Sequence, residues 1–223
     1  MRTILLSLCL LGFALQNQAQ TIADVEGNVY NTISIGTQVW MKQNLKSTRL
    51  NDGSAIASVM DNSAWGKLTT PGYCWYNDSL SKYKETYGAL YNWYTLNSTS
   101  LCPKGWHVPT DNEWSVLISY LGGESVAGGK LKETSTNHWR IPNSGADNSS
   151  DFTALPGGFR STDGTFISVG AFDAIRIGGG WWSSSERDNT NGWGRTIYFN
   201  NGKIGRVSNL KTVGFSVRCL KDN

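Results

Sequence analysis

Past its first twenty residues the chain has no apolar run near the ~20 residues that a membrane-spanning helix needs, which excludes an interior span. Histidine is scarce. His107 and His138 are the only two, and neither stands in a His-x-x-x-His or Glu-x-x-His pattern, so the helical zinc-hydrolase signature is missing. Basic residues never cluster beyond two in a row, and without a basic patch the electrostatic footprint of a nucleic-acid binder is absent. No Gly-x-Ser-x-Gly elbow, phosphate-cradling loop or dinucleotide fingerprint is present. Proline numbers only five and no Pro/Ser-rich linker interrupts the interior, which favours one domain, residues 24–221.

The N-terminus is the exception to the shortage of apolar runs. Residues 1–19 carry an early Arg2, an apolar stretch from Ile4 to Leu15 and a small residue, Ala19, at the cleavage position, and are read as a secretory signal peptide. Cys9 lies inside that stretch behind the bulky Leu8, which argues against lipidation there. Removing the segment takes away Arg2 and no acidic residue, so the formal charge falls from +3 to +2. The expectation is an exported chain, secreted or held at the cell surface, with the periplasm as the other destination, and with no nucleic-acid partner.

Glycine, at 25 residues, and tryptophan, at ten, are abundant, and many short alternating runs are separated by Gly, Asn, Asp and Ser. This composition predicts a loop-rich, largely β domain with few helices. Val29, Ile33, Ile35, Val39 and Trp40 flank Gly36-Thr37, which suits a type II′ hairpin turn. Tyr73 to Tyr76 reads as a strand and Asn77 to Glu85 as a polar loop. Tyr87, Leu90, Tyr91 and Tyr94 recur at helical spacing and predict a helix over 86–97. Thr110 and Glu113 form a capping box, and Trp114, Leu117, Ile118 and Leu121 give the helix it opens one apolar face, stopped by Gly122-Gly123. Ser125 is placed as the cap of a short helix through Lys132. Strands are predicted over 152–160, 165–169, 174–183 and 194–200, with Asn201-Gly202 as a type I′ hairpin turn and a last strand over 213–220.

The stretch Ser183 to Trp193 combines oxygen-bearing side chains with aromatics after a glycine-rich strand end. Trp181, Trp182, Glu186, Asp188, Asn189 and Trp193 are therefore the candidate ligand-binding residues. Of the adjacent Trp181 and Trp182, one is expected inside and one outside, because neighbours on a strand point to opposite faces. Glu186 and Asp188, two residues apart, read as a solvated turn and not as the acid/base pair of a glycosidase.

WMKQNL (40–45), YCWYND (73–78), YGALYNWY (87–94), CPKGWHVPTDNEW (102–114), GGKLKET (128–134), FTALPGGFR (152–160), WWSSSE (181–186) and GFSVRCL (214–220) resemble the Fibrobacter succinogenes major paralogous domain. That family comprises secreted or surface-attached bacterial proteins and brings no biochemical activity with it. More distantly, residues 107–114, 178–182 and 214–218 resemble the formylglycine-generating enzyme group of the C-type lectin-like fold. This resemblance implies an α+β, C-type lectin-like fold with two main helices, small antiparallel β-sheets, long loops and paired terminal strands. It also implies a copper-binding cysteine pair, but Ser183, Ser184 and Ser185 occupy that region, and a hydroxyl is a poor copper ligand. A non-enzymatic binding or adhesion module for glycan or protein is therefore expected, with a structural or assembly module as the alternative. No cofactor is expected; calcium is left open only by the oxygen-rich loops, since the Glu-Pro-Asn and Trp-Asn-Asp motifs of calcium lectins are absent. In such a fold the last strand returns beside the start of the domain, which implies a Cys102–Cys219 disulfide and a free Cys74. On the sequence alone a Cys74–Cys102 pairing stays open.

Overall fold

The structure is a computed structural model that describes residues 20–97, 100–166, 168–169 and 172–222. The expected signal peptide lies outside the described residues. The first half of the chain holds β1 (Thr21–Ala23), β2 (Val29–Ile35), β3 (Gln38–Met41), β4 (Ala57–Ser58), α1 (Asn62–Gly66), β5 (Gly72–Cys74), α2 (Leu80–Tyr87), β6 (Leu90–Tyr91) and β7 (Trp106–His107). Next come α3 (Asp111–Tyr120) and α4 (Glu124–Leu131), then β8 (Ser168–Val169), β9 (Phe172–Asp173), β10 (Gly178–Glu186), β11 (Asn191–Tyr198), β12 (Ile204–Leu210) and β13 (Leu220–Lys221). The architecture is mixed α+β, mostly small sheets with few helices.

A five-stranded sheet runs in the order β1-β2-β3-β13-β7, so the end of the chain is inserted between two strands from its first half. Leu220 sits opposite both Trp40 and His107. The Cys102–Cys219 disulfide ties the segment before β7 to the residue before β13, and Cys74 is a buried free thiol. Gly36 supplies the positive φ of 61° that the β2–β3 turn needs at its first central position, and Ile35 pairs with Gln38 across it.

The capping box forms as the sequence requires. Thr110 Oγ1 accepts from Glu113 N while a Glu113 carboxylate oxygen accepts from Thr110 N. Trp114, Leu117 and Ile118 are buried, and the Trp114 ring lies 4.8 Å from that of Trp40. Gly122 and Gly123 carry φ of 98° and 95° and stop the helix. Helix α4 then starts at Glu124 with Gly123, not Ser125, as its cap. Its internal Gly128 and Gly129 are required by packing. A Cβ on Gly128 would lie 2.2 Å from the Lys203 carbonyl oxygen, and one on Gly129 would lie 2.0 Å from that of Gly145.

Several expected elements are corrected. The helix over 86–97 is absent: α2 occupies the presumed polar loop and ends at Gly88, whose φ of 73° turns the chain into β6 and then a 3-10 turn over Trp93–Asn97. The aromatic spacing misleads there because both sides of the segment are covered. The strand over 152–160 is replaced by single bridges at Ala154, Gly158 and Arg160, since Thr153 and Gly158 adopt positive φ. Asn201-Gly202 does not form a two-residue type I′ turn. The last pair is Ile197 with Ile204, neither turn residue has positive φ, and the longer loop is pinned where Gly129 N donates to Gly202 O and Lys132 Nζ donates to Asn201 O. Residues 213–220 form single bridges at Gly214, Phe215 and Ser216 before β13. Both faces of that run are buried, so its alternation does not separate core from solvent.

Candidate functional site

The antiparallel sheet β10-β11-β12 carries the candidate residues. Trp182 pairs with Gly194 and Glu186 with Gly192, and the register shift between them is a bulge that ends the buried part of β10. The prediction that one of the two adjacent tryptophans faces outward is corrected: Trp181 and Trp182 are both buried. They do point to opposite faces of the strand, but each face is covered. Trp181 packs with the α3 and α4 cluster and donates from Nε1 to Asn44 Oδ1 at 2.8 Å. Trp182 lies 4.7 Å from the Phe215 ring and donates to the Tyr91 carbonyl at 2.9 Å. Neither indole is presented to a ligand.

Beyond the bulge the remaining candidates come together at the surface. Asp188 Oδ1 accepts from Thr190 N, Thr190 Oγ1, Asn191 N and Asn191 Nδ2, each at 2.9 Å. The Thr190 backbone N–H foremost, with the Asn191 side chain, holds the carboxyl well below the usual carboxylate range. Asp188 is thus an exposed Asx-type organiser of the turn. Glu186 pairs with Lys211 Nζ, which also donates to the Asn189 carbonyl and lies over the Trp93 ring at 4.6 Å. Trp193 is half-buried. The guanidinium of Arg206 lies 3.5 Å from its ring centroid and that of Arg187 lies 5.6 Å away, while Arg187 also donates to Ser208 Oγ.

Three residues of this surface were not singled out from the sequence: Arg187, Arg206 and Asp111. The buried Arg195 and the half-exposed Arg206 converge on Asp111, with N···O distances of 2.6 Å and 2.8 Å. Burial opposes the charged form of Asp111, but the hydrogen bonds from Arg206 and Arg195 outweigh it and lower the pKa. Asp111 opens α3, so this network fixes the helix to the outer strands of the sheet. The acidic first helical position is visible in the sequence; the arginines 84 and 95 residues away are not.

The donor set does not suit copper. Ser183 Oγ accepts from Ser185 N at 3.2 Å and Ser185 Oγ accepts from Asp111 N at 3.0 Å, so these hydroxyls are used in the backbone network. Cys102 and Cys219 are consumed in the disulfide, and burial pushes the Cys74 thiol up to about 12. Asp188 is engaged in its turn and Glu186 with Lys211, and the described residues contain no group of three His, Cys, Asp or Glu side chains placed to hold a metal. Both histidines are paired with carboxylates. His107 bridges Asp222 and Glu113 at 2.6 Å and 3.0 Å, and His138 meets Glu133 at 2.9 Å.

A family model, described as the Fibrobacter succinogenes major domain, matches residues 33–221. No curated protein and no solved structure matches the chain significantly.

Proposed function

Because the chain belongs to the Fibrobacter succinogenes major domain family, we propose that it is a non-catalytic, exported binding module that engages glycan or protein at the bacterial cell surface through the area around Trp193. One observation carries this reading. Trp40, Trp65, Trp75, Trp93, Trp106, Trp114, Trp139, Trp181 and Trp182 are all buried, and of the ten tryptophans only Trp193 is left at the surface. A half-exposed indole stacked with the Arg206 guanidinium and near that of Arg187 presents apolar surface and hydrogen-bond donors together, a combination suited to a polyhydroxylated or partly anionic ligand. The neighbouring turn is already ordered by Asp188, so binding there costs little conformational entropy.

The finer kinship is part of the same proposal. A C-type lectin-like arrangement, distantly related to formylglycine-generating enzymes, is supported by the closing strand β13 between β3 and β7 and by the helix pair α3 and α4. Export is supported by the disulfide, which is compatible with an oxidising compartment. The burial of nine tryptophans also favours a second reading, a rigid assembly module without a small-molecule site. A glycan array probed with the full chain, with and without calcium, separates the two. Saturable binding to at least one glycan supports the module proposed, and no binding to any cell-wall or host glycan supports the assembly reading.

A further inference from the structure

A cleft of about 290 Å³ opens beside the end of β3, and none of the residues around Trp193 lines it. Lys42, Asn44, Thr86, Thr153, Leu155 and Arg218 contribute to its wall, and none of the residues that line it is acidic. Its volume falls just short of the range for small-molecule sites, about 300–1,000 Å³.

Arg218 is the unusual member. It is only 1 % exposed, and no carboxylate among the described residues pairs with it. Its guanidinium lies 4.1 Å from the Phe152 ring centroid. Nε and Nη2 both donate to one atom, Asn44 Oδ1, at 3.2 Å and 2.9 Å, and Nη1 donates to the Phe152 carbonyl. A guanidinium has five N–H groups. Three are used on two oxygens, which leaves one on each Nη without an acceptor among the described residues. Burial pushes its pKa down to about 9, and the group remains a cation at neutral pH.

The other buried cations are better supplied. Lys132 Nζ donates to three carbonyls, those of Ser144, Tyr198 and Asn201. Arg160 donates to the carbonyls of Gly164, Val59 and Met60 and to Asn62 Oδ1. Arg195 has the Asp111 carboxylate, although its Nε finds no acceptor among the described residues. A buried guanidinium with spare donors and no counter-ion costs free energy unless an anion completes it. Lys42, at the same cleft, adds a second positive charge that its half-exposed pairing with Asp151 only partly offsets.

We propose that this cleft binds the carboxylate of a small anionic ligand of about monosaccharide size, with Arg218 as its anchor and Lys42 as the second cation. The site shares no residue with the Trp193 surface, and its failure would leave that reading untouched. Since replacing Arg218 could unfold the chain, the test uses Thr86→Glu, which puts a negative charge at the cleft from an exposed position. The full chain is titrated with D-glucuronate and with neutral D-glucose, by calorimetry and by the guanidinium resonance of Arg218. The expected result is saturable binding of glucuronate alone, a shift of the Arg218 signal, and binding weakened at least about tenfold in Thr86→Glu by like-charge repulsion, with an unchanged Tm. Equal binding of glucose, no saturable binding of glucuronate, or undiminished binding by Thr86→Glu overturns the proposal.

Discussion

Single side chains in this domain divide sharply between those that hold it together and those that it displays. Trp182 is fully buried with its Nε1 on the Tyr91 carbonyl, so Trp182→Ala should cost about 3–5 kcal/mol in denaturant unfolding. An unchanged midpoint would remove Trp182 from the core. His107 belongs to a different class, since its imidazole joins Asp222 near the chain end to Glu113 of α3. Partial burial works against the charged form, but hydrogen bonds to Asp222 and Glu113 outweigh it and raise the pKa. The pair therefore adds stability that is fully present below about pH 6.5, the unfolded value, and is lost as pH rises through the raised folded pKa. In melting curves taken across this window, His107→Gln should differ most from the natural chain at the acid end and converge with it at high pH. A gap that stays constant with pH would show that the charge of His107 contributes nothing.

At the scale of elements, local chemistry was legible wherever one side chain dictates the backbone. The capping box of α3, its apolar face and the Gly122-Gly123 stop form where Thr110, Glu113 and the glycines place them. Periodicity failed where a segment is covered on both sides. Residues 87–94 and 213–220 bury nearly every residue, so a helical stripe or a strand alternation carries no information about faces. Close backbone approach was equally invisible. A glycine inside a helix ordinarily weakens it, yet Gly128 is what lets α4 meet the Lys203 carbonyl. Gly→Ala in an ordinary helix interior gains about 1 kcal/mol. Gly128→Ala should instead lose stability, because its Cβ would meet a backbone oxygen at 2.2 Å, and chemical denaturation of the variant checks the sign. A stabilised variant would mean that α4 and the 201–203 loop can move apart.

For the whole molecule, the closure of the chain on itself is the organising feature, and it was legible only through family resemblance. Nothing in the spacing of Cys74, Cys102 and Cys219 chooses among pairings; the fold does, by inserting β13 between β3 and β7. The bond closes a loop with a sequence separation of 117, for which loop-closure entropy allows up to about 4.7 kcal/mol. Replacing both cysteines by serine should lower the unfolding free energy by about 2–5 kcal/mol, while a Cys74→Ser chain should keep its crosslink in nonreducing peptide mapping. A crosslinked Cys74 peptide would contradict the closure described. The candidate site was half legible: the stretch 183–193 was found by its composition, but Arg206 and Asp111 come from distant segments, and both Trp181 and Trp182 proved to belong to the interior. What remains at the surface is Trp193, and the most direct test of the binding role is Trp193→Ala measured against the natural chain on the same glycan array with parallel melting curves. Loss of the bound ligands with a Tm changed by only a few degrees, as expected when a half-exposed ring and a cation–π contact worth about 0.5–1 kcal/mol are removed, is the result predicted. Undiminished binding, or a collapse in Tm of the size expected for a core tryptophan, would contradict it.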